Sequence, residues 1–307
     1  MTAGLPLSIP VFFVWGKGNP ANGLGLPFYL EPTVWIAGRT RSLGGYQVIM
    51  KRCPSVSSES VSTIIADGSL RTVFQPVVRC SGNSRNTYGY EALSRPYLRD
   101  TLIPPESWFR AAYYYQQSTD ADWLALTSAL GNYTLDNYSD VLFVNVMPSS
   151  LLQPEFRDRV KNLVHDRCPA SFLTLEIIEY VDYDVGSLRD AINDLRSVGI
   201  RIALDDVGRG HSNLESLVEL EPDFIKIDRT ITSGISTSAS KQRLLSAIVQ
   251  YAGLQSTVIA EGVERVEDLI ALEQSGIDLT QGYLWGQPIP ASTLTTEWHR
   301  LNSSFIL

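Results

Sequence analysis

The sequence lacks the apolar length that a membrane span needs, about 20 residues, anywhere along its 307 positions. Its apolar opening segment SIPVFFVWG (Ser8–Gly16) is short, carries a proline and has no basic stretch before it, so it does not read as a signal peptide. Cysteine is scarce. Cys53, Cys80 and Cys168 are an odd number at wide gaps, which excludes a disulfide framework and a cysteine metal site and fits a reduced, cytoplasmic setting. Histidine is equally rare: His165, His211 and His299 do not pair at any ligand spacing, which disfavours zinc. Basic charge is in deficit, with 25 Lys and Arg against 33 Asp and Glu and a net charge of −8. That balance argues against a general binder of polymeric nucleic acid or anionic membrane. A Walker-type phosphate loop and a GxSxG elbow are both missing, which disfavours nucleotide-triphosphate and serine hydrolase chemistry.

What is present divides the chain in two. Residues 1–65 are rich in Gly, Pro and Ser and have no sustained period, and SVSSESVS (Ser55–Ser62) reads as a linker; this arm is assigned no function. Residues 66–307 alternate short apolar runs with amphipathic stretches of helical period. The predicted strands are TVFQPVV, YGYEAL, VLFVNV, FLTLEI, RIALDD, DFIKID, TVIAEG and IDLTQG. Helical patterns fill most of the gaps, one of them the single stretch SLLQPEFRDRVKNLVHD. Eight such units predict an α/β (β/α)8 TIM-like barrel, with a doubly wound open sheet as the alternative. The first connection, RCSGNSRNTYG, looks like a loop, so the barrel is expected to be irregular, with its first strand antiparallel to the second.

From the second strand on, each run carries a polar residue at or near its C-terminal end: Glu91, Asn145, Glu176, Asp205 with Asp206, Lys226, Glu261 and Gln281. Each has an ordinary reading alone, as a turn former, a helix cap or a solvated lysine. Together they would crowd the C-terminal face of a barrel, where active sites form. Their donors are hard oxygens, which select Mg2+ or Mn2+. Carboxylates so close raise one another's pKa unless cations separate them. Two ions, with Asp205 as bridge and Asp206 completing the second position, suit phosphodiester hydrolysis. A barrel glycosidase could use two carboxylates but would not need so many, nor the lysine.

The same residues carry a family likeness. YEALSRP (Tyr90–Pro96) resembles the signature of the EAL domain, and FQPVV, FVNVMP, LEIIE, LDDVGRGHSNL, DFIKIDR, AEGVE and QGYLWGQPIP follow in that family's order between Ser69 and Leu301. The resemblance implies a barrel phosphodiesterase that opens cyclic di-GMP to linear pGpG with two Mg2+ or Mn2+ ions, usually as a homodimer. It implies Glu91, Asn145, Glu176 and Asp205 as ligands of the first ion. Asp205 and Asp206 would hold the second, with Glu261 beside them as ligand or general base. Lys226 would orient the attacking water, Gln75 and Arg95 would contact substrate, and Gln281 would sit beside the water or the ions. Glu179 would anchor the loop after the fifth strand. That loop departs from the family's usual DDFGTGYSSL at Val207, Arg209, His211 and Asn213, and Ser94 replaces a common Leu. The departures bear on efficiency and regulation, and they keep a second expectation open: a weak or inactive module that acts as cyclic di-GMP receptor or protein-interaction domain.

Overall fold

Ten strands among the described residues form one sheet: β1 (Leu70–Ser81), β2 (Ser84–Leu98), β3 (Thr101–Leu102), β4 (Val141–Val146), β5 (Leu173–Ile177), β6 (Arg201–Val207), β7 (Phe224–Ile227), β8 (Thr257–Ala260), β9 (Leu279–Gln281) and β10 (Ile289–Pro290). The computed structural model describes residues 54–81, 84–133, 140–178, 183–209, 214–253 and 255–294. β1 pairs with both β2 and β9, which closes eight strands into a barrel, with the two-residue strands β3 and β10 added at the margins. β1 runs antiparallel to both neighbours, while β2, β4, β5, β6, β7, β8 and β9 are parallel in sequence. The loop-like first connection is the cause. Register pairs Ser81 with Ser84, a hairpin too short for the helical crossover that a parallel pair requires.

The helices are α1 (Ser58–Asp67), α2 (Pro105–Tyr114), α3 (Ser118–Asn132), α4 (Pro148–Leu151), α5 (Pro154–Arg167), α6 (Val185–Arg196), α7 (Leu214–Leu220), α8 (Arg229–Thr232), α9 (Ala239–Ala252) and α10 (Val266–Gln274). α1 begins inside the stretch read as linker. Ser57 caps it by accepting the Ser60 N–H at 3.1 Å, Gly68 ends it with φ 62°, and Val61 and Ile64 are buried against Trp108 and Phe109 of α2. The serines that suggested a linker are its cap and its solvent face. The single helix expected over Ser150–Asp166 is two, because Pro154 has no N–H to donate and starts a new helix at its first position.

Within the barrel, side chains of one face recur every second residue. Val77, Val141, Phe143, Ala203, Phe224, Ile259 and Leu279 form one buried cluster, distinct from the larger core between strands and helices. They plug the interior. Two residues onward on the same face of each strand stand Asn145, Asp205, Lys226, Glu261 and Gln281. On the reversed β1 the polar partner precedes the apolar one, so Gln75 rises from Val77. Glu91 and Glu176 follow the small residues Gly89 and Thr174 in the same way. A Cβ at Gly89 would lie 2.1 Å from the Val141 carbonyl oxygen, so β2 closes onto β4 only because that residue has no side chain. An apolar floor thus carries a polar layer on all eight barrel strands. At the end of β4, buried Asp122 of α3 accepts the Met147 N–H at 2.9 Å and ties down the backbone two residues beyond Asn145.

Candidate active site at the barrel mouth

Lys226 stands at the centre of the polar layer, 1% exposed. Its ammonium lies 2.8 Å from Glu261 Oε1, 2.9 Å from Glu176 Oε1, 3.2 Å from Glu91 Oε2 and 3.3 Å from Asp205 Oδ1. Burial works against its charge, but Asp205, Glu176, Glu261 and Glu91 outweigh it and hold the ammonium well above its ordinary pKa. Lys226 therefore keeps its ammonium proton and serves as a hydrogen-bond donor.

The carboxylates around it are not equivalent. Glu91 is saturated with donors: Asn145 Nδ2 donates to Oε1 at 2.9 Å, and Gln281 Nε2 and Lys226 donate to Oε2 at 2.7 and 3.2 Å. Burial pushes its pKa up, yet Lys226 and these hydrogen bonds prevail and the carboxyl lies below its usual range. Glu176 is fully buried; the Lys226 ammonium lies 2.9 Å from Oε1, and Oε2 has no hydrogen-bond partner. Burial and then the Glu91 charge push it well up. Glu261 is driven to about 8 by burial, with Asp205 and Glu91 adding to the shift and Lys226 opposing it.

Adjacent strand residues point to opposite faces, so Asp205 and Asp206 should not share a ligand. A bulge in β6 resolves this. Between the pairs Leu204–Ile225 and Val207–Ile227, β6 has one residue more than β7, and Asp206 takes φ 55°, a left-handed conformation that aspartate tolerates. Gly208 follows at φ 101°, where a Cβ would strike Ile231. The result brings carboxylate oxygens of Asp205, Asp206 and Glu261 within 4.8 Å of one another. Burial and then Asp205 raise Asp206 to about 6, partly opposed by Arg209.

These observations meet the demands of a divalent cation. The donors are oxygens, Glu176 Oε2 and Asp205 Oδ1 are buried with no hydrogen-bond partner, and one ammonium cannot neutralise four carboxylates. Asn145 spends its amide nitrogen on Glu91, leaving its carbonyl oxygen for an ion.

The expected substrate contacts lie close by. Gln281 Nε2 also donates to Gln75 Oε1 at 3.1 Å, and Gln75 Nε2 donates to the Gly286 carbonyl at 3.3 Å. Arg95 is half-buried on β2, four residues past Glu91 on the same face, and donates to the Ser94 carbonyl at 3.0 Å. A cleft leads from Glu91 and Glu261 past Asp228, Arg229, Gly262 and Tyr283. Glu179, His211 and Asn213 lie outside the described residues.

Asp228 was not singled out in the sequence. It lies two residues beyond Lys226, lines the cleft and caps α8 by accepting the Thr230 N–H at 2.8 Å. Burial pushes its pKa up, but the Thr230 hydrogen bonds and Arg209 bring it below the ordinary range. The signal was the same two-residue step that marks the other strands.

Known proteins share this architecture. The EAL domain family model matches residues 58–288. The chain is 31% identical over 237 residues to the probable cyclic di-GMP phosphodiesterase PdeI of Escherichia coli, an alignment covering 73% of this chain and 30% of that protein. It is 27% identical to the cyclic di-GMP phosphodiesterase RocR of Pseudomonas aeruginosa, across 89% of this chain and 71% of RocR. Among solved structures it is similar to the manganese and cyclic di-GMP complex of BlrP1 from Klebsiella pneumoniae, with 27% identity and a TM-score of 0.64 over 73% of this chain and 56% of that one. The fold also matches an EAL domain protein from Listeria monocytogenes at TM-score 0.70, covering 80% of this chain and 99% of that one at 22% identity.

Proposed function

We propose, from the premise that this chain belongs to the EAL domain family, that it hydrolyses cyclic di-GMP to linear pGpG at the mouth of its barrel. The observation that carries the reading is the coincidence on one rim of Glu91, Glu176, Asp205, Asp206 and Glu261 around buried Lys226. Glu91, Asn145, Glu176 and Asp205 would hold one Mg2+ or Mn2+ ion, and Asp205, Asp206 and Glu261 a second. When bound, the ions supply Lewis-acid activation of water and charge stabilisation at the phosphate.

The chain's own groups do the rest. Lys226 donates a hydrogen bond to the water and turns its lone pair toward phosphorus. Glu261, in the alternative to its role as a ligand, would act as the general base and accept the water proton at a carboxylate oxygen once its own proton has been lost. The water oxygen bonds to phosphorus as the bond to the 3′ oxygen breaks, and that oxygen takes its proton from solvent water. Gln75 and Arg95 bind the substrate, Arg95 through a phosphate oxygen, and Gln281 holds Glu91 in place. Glu179 is proposed as the anchor of the loop after β6. No helix among the described residues is long and apolar enough to cross a membrane; a cytoplasmic homodimer is part of the proposal.

Incubation of the purified chain with cyclic di-GMP and Mn2+ is expected to yield pGpG, and excess chelator to stop it. One observation favours the receptor reading: Arg209 pairs with Asp206 at 3.1 Å, so a cation of the protein already contacts the outer carboxylate. Tight binding of cyclic di-GMP without product would support that reading and defeat the hydrolase.

Ion uptake should also release protons. A bound cation favours the carboxylate, so the raised pKa values of Glu261, about 8, and Asp206, about 6, must fall on binding. Affinity for Mn2+ is expected to climb from pH 6 to above pH 8 and then level off. Titration calorimetry in buffers of different ionisation enthalpy reads the release; uptake independent of pH and buffer would contradict the assignment of Glu261 as a ligand.

A further inference from the structure

The proposed ions would each meet a cation of the protein. The inner carboxylates share Lys226, which is buried. The outer carboxylate Asp206 faces Arg209, whose side chain is 63% exposed and whose Nη1 lies 3.1 Å from Asp206 Oδ2. The backbone sets this pairing. The Arg209 N–H donates to the Asp206 carbonyl at 3.0 Å, closing a turn through Gly208 at φ 101° that places the arginine beside the bulged aspartate. The guanidinium also feels the negative charges of Asp228 and Glu106, on β7's end and on α2.

We propose that Arg209 competes with the outer divalent ion for Asp206, making that ion the weaker of the two; the inference rests on the two-ion reading above. An ion arriving at Asp206 must share that carboxylate with the guanidinium or displace it, and accept a positive neighbour. Exposure makes the displacement cheap, so the arginine weakens the outer position without closing it. The inner position is out of its reach, since Glu91 and Glu176 are buried around Lys226. The chain would then load its first ion at low concentration and its second only when divalent ion is plentiful.

Mn2+ calorimetry on the wild type, Arg209→Ala, Arg209→Thr and Arg209→Lys tests this without any turnover measurement. The wild type is expected to bind two ions of unequal affinity. Removing the charge, by Ala or Thr, should tighten the weaker ion by roughly two- to fivefold, the scale of one exposed charge contact. The tighter ion should not change, and Arg209→Lys should stay near the wild type. An unchanged or looser second ion in both neutral variants would overturn the proposal while leaving the two-ion reading intact. Failure of the wild type to take up a second ion in any condition would overturn the two-ion reading itself, and the competition with it.

Discussion

Glu91→Ala is expected to lower kcat for cyclic di-GMP by at least about a hundredfold, the scale of losing one preorganised electrostatic contact at a reacting centre, with KM changing far less. Glu91 is the hub of the rim: one carboxylate receives Asn145, Gln281 and Lys226 together. Truncating it removes a proposed ion ligand and also frees three donors that hold the neighbouring ligands in place. Asp205→Ala should do at least as much damage, because it is shared between both proposed ion positions. Single-turnover kinetics separates loss of chemistry from loss of binding. Glu91→Ala turning over at the wild-type rate would remove this carboxylate from the mechanism.

Lys226→Met is expected to abolish turnover and to destabilise the fold. The ammonium is 1% exposed and within 3.3 Å of four carboxylates. Removing one partner of a buried ionic cluster costs about 3–5 kcal/mol, because the charges left behind are uncompensated. The sign of the pH dependence follows. Glu261 and Glu176 already have folded-state pKa values raised above their unfolded ones. Such groups add stability that is complete below the unfolded value and lost as pH rises through the folded one. Without Lys226 the folded values rise further, so the variant's deficit should be largest near pH 8 and shrink toward pH 5. Mn2+ should restore part of the loss in stability but none of the activity. Chelator-treated melts at both pH values give the comparison; a variant as stable as the wild type at pH 8 would show that Lys226 does not compensate these acids.

The sequence made the rim legible through repetition. Phe224 then Lys226, Ile259 then Glu261, and Leu279 then Gln281 each place an apolar residue and a polar one on the same face, and a barrel stacks those pairs into layers. Gln75 escaped that pattern because β1 is antiparallel, so its polar residue comes before Val77; only the family likeness marked it. Asp206 shows a limit of another kind. Its neighbour relation to Asp205 was plain, but the geometry that brings both carboxylates together with Glu261 is a bulge and a left-handed backbone, which no alternation of residues encodes. α1 was missed because Ser57, Ser58, Ser60 and Ser62 lower helix propensity in sequence, while burial of Val61 and Ile64 overrides it in the fold.

The central claim is that the rim residues hold two divalent ions against the scissile phosphate. Anomalous diffraction from crystals grown with Mn2+ and cyclic di-GMP tests it most directly. The account predicts two peaks, one touching Glu91, Asn145, Glu176 and Asp205, the other touching Asp205, Asp206 and Glu261, with a phosphate oxygen reaching both. Bound nucleotide with no manganese peak inside the rim would contradict it.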